Sequence, residues 1–252
     1  MSTQTTAPGF GETLSSVSDV EGWMTDAQAR RLWDAASRVG APGRIVEIGS
    51  FRGRSTIVLA RAAADGVEVV AIDPHGGGDR GPQEITPDAE RGEQDFRTFH
   101  ANLQRAGVDA AVRHVRRMSD DALGEVKPPI DMLYVDGAHR YGPARADIER
   151  YGARVAPGGS LLVHDSYNAI GVMLAQLRLL FTSSEYRYVG RSGSLAEYRR
   201  ERLTGLARAR NALHQAGGIP YFVRNGFIKV AIVAKQPRLA RLFGHDTGHW
   251  PY

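Results

Sequence analysis

Apolar and polar positions along the chain switch between two periods. Short apolar runs that end on glycine or on an acid alternate with longer stretches in which apolar residues recur at helical spacing. Ile45, Val46 and Ile48 read as a buried strand, and the residues after Gly53 (Thr56, Ile57, Leu59, Ala60, Ala63) as a helix. The same pattern predicts strands over 67–73, 112–118, 130–136 and 160–165. Thr25-Asp26 is an N-cap signature for a helix through Ala27, Leu32, Trp33 and Ala36. Further helices are predicted from Phe96, Phe99 and Leu103, from a short segment capped at Ser119-Asp120-Asp121, and over 144–155 and 170–181. Residues 186–191 and 194–199 flank Ser192-Gly193 as a hairpin, 201–215 reads as a basic helix, and 227–234 as a further strand.

Five strands alternating with helices imply an α/β fold with a doubly wound parallel sheet. Residues 1–19, rich in Ser, Thr and Gly, read as a flexible N-terminus; 20–200 as the domain; 201–252 as an extension packed on the core or in a dimer interface. The glycine- and proline-bearing stretch 74–93 is long for a connection inside a domain and reads as a lid or binding loop.

Composition narrows the class. There is no cysteine, which excludes disulfides, thiolate metal sites and a cysteine nucleophile. The N-terminus lacks a basic segment followed by an apolar one, and no long apolar run occurs, so a cytoplasmic protein with no membrane partner is expected. The net charge of +4 is uneven: residues 191–252 hold 11 Lys/Arg against 3 Asp/Glu. That tail suits an anionic substrate, nucleic acid or the acidic surface of a partner subunit. No nucleic-acid-binding motif interleaves aromatics with the charges, so no nucleic acid partner is expected, and a homodimer is.

The candidate chemistry sits at strand ends. Gly49-x-x-x-Gly53 lets the backbone turn sharply and approach a ligand, although the dinucleotide pattern Gly-x-Gly-x-x-Gly is absent. The second predicted strand ends on Asp73, the place where a ribose-binding acid stands in cofactor-binding sheets. The fourth and fifth end on Asp136 and Asp165. With strand order 3-2-1-4-5 the glycine turn and both acids share one rim, on neighbouring strands about 4.8 Å apart. Two carboxylates there suit a hard cation such as Mg²⁺. His139 follows Asp136 by three residues, placed to take a proton from a hydroxyl.

These motifs, Glu47-Ile48-Gly49-Ser50-Phe51-Arg52-Gly53, Asp73 and Ser119-Asp120, resemble those of the class I S-adenosylmethionine-dependent methyltransferases over residues 20–200. The resemblance implies a Rossmann-like seven-stranded sheet of order 3-2-1-4-5-7-6, with the hairpin as its last strands. It implies cofactor contacts from Glu47, Gly49, Ser50, Gly53, Ser55, Asp73, His75, Ser119, Asp120 and Asp136. Within that class, Val135-Asp136-Gly137-Ala138-His139 and Val163-His164-Asp165 look like the Mg²⁺-dependent sugar and small-molecule O-methyltransferases, the macrolide-sugar type and the cephalosporin-hydroxylase-like group. The likeness makes Asp136 and Asp165 metal ligands and His139 the base. Where the sugar enzymes place Glu before the second acid, this chain has His164, a ligand better suited to Mn²⁺ or another transition metal.

Trp23, Arg140, Tyr141, Tyr167 and Asn168 are placed to frame an acceptor, with aromatic faces that suit sugar rings. The leading expectation is methyl transfer to a saccharide hydroxyl, a mannoside or a glycosylated metabolite. A phenolic or polyketide acceptor is the alternative within the class, and an RNA-binding module the alternative outside it. No two-histidine-one-carboxylate signature is identifiable in the sequence, which speaks against an iron oxygenase.

Overall fold

The computed structural model describes residues 9–78 and 86–245 of the 252-residue chain. The elements run α1 (Phe10–Ser16), α2 (Asp26–Ala36), β1 (Arg44–Ile48), α3 (Arg54–Ala62), β2 (Glu68–Ile72), α4 (Ala89–Arg105), β3 (Val112–Val115), α5 (Ser119–Ala122) and β4 (Ile130–Val135). They continue as α6 (Tyr141–Gly152), β5 (Val155–Val163), α7 (Ile170–Leu179), β6 (Tyr186–Ser192), β7 (Leu195–Arg200), α8 (Gly205–Ala216), α9 (Ile219–Val233) and α10 (Pro237–Leu242). The seven strands form one sheet in the order β3-β2-β1-β4-β5-β7-β6, as the resemblance implies. β1 to β5 pair in parallel, and β7 runs antiparallel to both β5 and β6.

Helices cover both faces, so alternate residues of each strand enter two separate cores. Val46, Ile48, Val70, Leu133 and Val135 pack towards α6 and α7. Ile45, Val69, Met132 and Tyr134 pack towards α2, α3 and α4. The N-terminal helices are tied down by polar contacts too. Thr25 and Gln28 form a reciprocal capping box, and Arg31 of α2 and Arg38 just beyond it grip the buried carboxylate of Glu197 on β7 at 2.7 and 2.5 Å. Truncating either arginine leaves that carboxylate less compensated, which is why a buried pair is costly to break.

The structure departs from the sequence-based expectation in three places. Within the segment read as flexible, Phe10–Ser16 is helical and packs against α3, with Thr13 and Val17 buried. The stretch 227–234 is not a strand: 227–233 lies in α9 and Ala234 caps it; the apolar run has no clear period, and Pro220 at the first turn opens a helix instead. The long connection 74–93 is shortened because Asp88 caps α4, accepting from the Arg91 amide at 3.1 Å. Residues 79–85, the middle of the expected lid, lie outside the described residues.

Candidate active site at the carboxyl ends of the strands

Strand register aligns the site. The Gly49 amide donates to the Ile72 carbonyl (2.9 Å), the Asp136 amide to Ile48 (2.8 Å), and the His164 amide to Val135 (2.9 Å), so the ends of β2, β1, β4 and β5 step together along one rim. Four residues just beyond those ends, Phe51, His75, Asp165 and Tyr167, adopt left-handed φ angles between 45° and 56°. For a side-chain-bearing residue that conformation costs of order 1 kcal/mol, and it clusters where a rim is shaped to hold something.

The cradle is built around two acids. Glu47 is fully buried between β1 and α3, where its two oxygens accept from the Ser55 and Thr56 hydroxyls. Burial raises its pKa to about 8 despite those bonds, and the nearby Asp136 and Asp73 add to the rise. Asp73 holds the glycine turn itself: one oxygen accepts from the Ser50 and Phe51 amides at 3.0 and 2.8 Å, the other from the His75 amide at 2.7 Å. Gly49 and Gly53 both have φ of +86°, which glycine alone adopts freely. Over the turn, Trp23 stacks on Phe51 with ring centroids 5.2 Å apart.

Beside the cradle lies a cluster of two acids and two histidines. His164 Nδ1 is 3.0 Å from Asp136 Oδ1; His139 Nδ1 is 3.1 Å from Asp165 Oδ2, and its Nε2 is 3.7 Å from Asp136 Oδ1. Tyr134 donates its hydroxyl to Asp136 Oδ2 at 2.8 Å. Burial alone would push the acids up and the histidines down, yet the mutual attraction wins. His164 and His139 hold Asp136 well below the usual carboxylate range, Asp165 is also lowered, His139 is raised, and His164 is raised to about 9.

Asp136, His139 and His164 offer ligand atoms that lie within 4.8 Å of one another. This is a two-histidine-one-carboxylate set, contrary to the sequence-based expectation that none exists. Asp136 and His164 meet only through the β4–β5 register, which sequence spacing does not reveal. His164 is 3% exposed, and neither ring nitrogen has a well-formed hydrogen bond. A buried Nδ1 3.0 Å from the Asp136 carboxylate without a well-formed hydrogen bond fits a cation, and the N,N,O donors favour Mn²⁺ or a later transition metal over Mg²⁺.

The other expected residues divide. Trp23 and Tyr141, 41% and 42% exposed, keep a face towards solvent, and Arg140 is exposed. Tyr167 is not at the rim: it is fully buried and donates to the Gln215 carbonyl of α8 at 3.0 Å. Asn168 is buried as well and acts on the site from below, donating to Asp165 Oδ1 at 2.9 Å. The His75 ring turns away from the rim into a cluster with Phe96, Phe99 and His114, where burial lowers its pKa. The Ser119 carbonyl accepts from Tyr151, and Asp120 pairs with Arg150, both beyond the end of β3.

Four contributors were not foreseen. Thr56 and Tyr134 carried a signal, since each lies on the inward face next to a named residue. Asn225 and Lys229 carried none, because they belong to the helix that reads as a strand. Lys229 donates to the Asn168 carbonyl at 2.8 Å and Asn225 approaches the Asn168 side chain at 3.5 Å, so α9 props the segment that holds Asp165.

A seven-stranded sheet of this order, with a glycine turn after β1 and acids closing β2, β4 and β5, is the architecture of class I S-adenosylmethionine-dependent methyltransferases. Residues 46–166 match the model of a methyltransferase domain. Solved structures of the same fold include an O-methyltransferase from Bacillus cereus in complex with S-adenosylhomocysteine (18% identity, TM-score 0.55, covering 78% of this chain and 94% of that one). TomG of Streptomyces achromogenes, an O-methyltransferase involved in tomaymycin synthesis and solved with S-adenosylmethionine, gives 21% identity and TM-score 0.52 over 78% and 88%. Cofactor-bound Rv0187 from MTB gives 20% and 0.54 over 77% and 88%. A protein of Sinorhizobium fredii, uncharacterized protein y4gI, is 29% identical over 129 residues, half of this chain but only 13% of that protein.

Proposed function

We propose that the chain is an S-adenosylmethionine-dependent O-methyltransferase whose acceptor is a saccharide hydroxyl and whose site works with a divalent cation. The observation that carries the reading is the Asp136–His139–His164–Asp165 cluster, set next to the Glu47–Asp73 cradle. The methyltransferase domain and the cofactor-bound O-methyltransferases of the same fold support the cofactor and the reaction type.

The division of labour follows from the residues. The cradle positions the cofactor: the turn at Gly49–Gly53 approaches it with backbone, and Glu47 and Asp73 supply negative charge for a ligand that carries a sulfonium and an ammonium. Asp136, Asp165 and His164 would hold the cation, with His139 beside them. When bound, a cation there polarises the acceptor hydroxyl and lowers its pKa. His139, partly exposed and held through Nδ1 by Asp165, takes the hydroxyl proton at Nε2 in its neutral form as the oxygen attacks the sulfonium methyl, the C–S bond breaks and the thioether leaves. Trp23 and Tyr141 offer apolar faces to the pyranose ring, and Arg140 reaches its hydroxyls. Positioning of the two reactants supplies most of the rate.

EDTA is expected to abolish methyl transfer to a panel of mono- and oligosaccharides, and Mn²⁺ to restore it more fully than Mg²⁺. Full activity in EDTA would remove the cation from the reading. A phenolic or polyketide acceptor is the second reading, so phenols belong on the same panel; turnover of phenols alone would replace the saccharide. Asp136, His139 and His164 also match the donor set of non-haem iron(II) centres. Cofactor-independent, iron- and O₂-dependent hydroxylation of the panel would replace methyl transfer itself.

A further inference from the structure

A surface helix ordinarily turns its charged residues to water and its apolar ones inwards. α9 buries Ile228 and Ala231 in this way but presents a second apolar face outwards. Its outward positions Ile219, Val223, Phe227, Val230 and Val233 are 39% to 67% exposed, and the residues between them on that face are Pro220 and Gly226. Its polar side chains bond neighbouring segments instead of lining that face. Asn225 and Lys229 bond Asn168, and Arg224 donates to the Phe243 and Gly244 carbonyls. α10 extends the apolar surface with Leu239 and Leu242, 50% and 79% exposed, and the Phe227 and Phe243 rings stack 5.7 Å apart to join the two helices.

The charge around this face has one sign. Between Glu201 and Asp246 there is no carboxylate and there are eight Lys/Arg, among them the exposed Lys235, Arg238 and Arg241 at its border. A two-fold contact with a second copy would bring these cations towards their own equivalents with no acid on the same face to pair them. A layer of anionic headgroups over hydrocarbon answers both features, since it pairs the cations and takes up the apolar side chains. α9 has 15 residues, and no helix among the described residues is long and apolar enough to cross a bilayer, which fits a helix that lies in the interface plane.

We propose that the α9–α10 surface docks the protein on an anionic lipid bilayer. Phe227, Val230 and Leu242 enter the headgroup–acyl boundary, and Lys235, Arg238 and Arg241 meet the phosphates. This departs from the expectation, drawn from the sequence, of a homodimer contact and no membrane. It does not depend on the identity of the methyl acceptor.

The test is co-sedimentation of the full chain with vesicles of phosphatidylglycerol and phosphatidylcholine, beside pure phosphatidylcholine, at about 0.1 M salt. The protein is expected to pellet with the anionic vesicles and to partition at least about tenfold less onto the neutral ones. Two outward-facing double variants, Phe227→Glu with Val230→Glu and Arg238→Glu with Arg241→Glu, should each lose at least about tenfold while keeping the wild-type circular dichroism spectrum. Equal pelleting with both vesicle types, or none with either, overturns the proposal. So does a dimer in sedimentation velocity that Phe227→Glu with Val230→Glu splits into monomers, because the face would then belong to a second copy.

Discussion

Replacing His139 by alanine is expected to lower kcat by about 10²–10⁴-fold while cofactor affinity stays within about twofold of the wild type. The ring spans the mouth of the cluster, 3.1 Å from Asp165 and 3.7 Å from Asp136, and touches none of the cradle bonds made by Glu47 or Asp73. The pH profile separates a base from a structural histidine. The two carboxylates raise the His139 pKa against the effect of burial. A base must be neutral to accept a proton, so activity should climb as pH rises through a value above the ordinary 6.5, or through a lower one once a cation shares the acids. In His139→Ala that ascending limb should disappear. A variant that binds cofactor normally and turns over at the wild-type rate would end the assignment.

Gly49→Ala is expected to destabilise the fold strongly. A Cβ built there meets the Asp136 carbonyl oxygen at 2.1 Å, and the +86° φ is one that alanine resists. Neither wall gives way easily, since the Gly49 amide bonds Ile72 and the Asp136 amide bonds Ile48. The left-handed backbone costs about 1 kcal/mol and forced overpacking about 1–3 more, so a loss of about 3 kcal/mol and a fall in Tm of roughly 10 °C are expected. Gly40→Ala, where an added Cβ meets nothing within 4 Å, is the control and should leave Tm within about 2 °C. Equal melting of the two variants would mean that the turn and the end of β4 are not locked together.

Much of this was legible in the residues before any coordinates. The parallel sheet was, because buried strands end abruptly on glycine or an acid, as at Ile48–Gly49, Ile72–Asp73 and Val135–Asp136. The meeting of Asp136 with Asp165 was, because acids closing adjacent parallel strands must share a rim. Direction was not. Tyr167 and Asn168 follow Asp165 at once, yet left-handed backbone at Asp165 and Tyr167 turns both under the site rather than over it. His75 follows Asp73 and turns away for the same reason. The role of α9 was hidden by its two apolar faces: with Ile228 and Ala231 inward and valines and a phenylalanine outward, no helical period separates inside from outside.

The burial of Glu47 has a consequence for how the cofactor arrives. With a pKa of about 8, this carboxyl is mostly protonated at neutral pH while the cradle is empty. A ligand that brings positive charge to the cradle favours the ionised form, so its capture should expel a proton from a group that never meets bulk water. Binding then strengthens as pH rises towards about 8 and levels off above it, and its measured heat changes with the ionisation enthalpy of the buffer. The site would thus load its methyl donor by exchanging one cation for another.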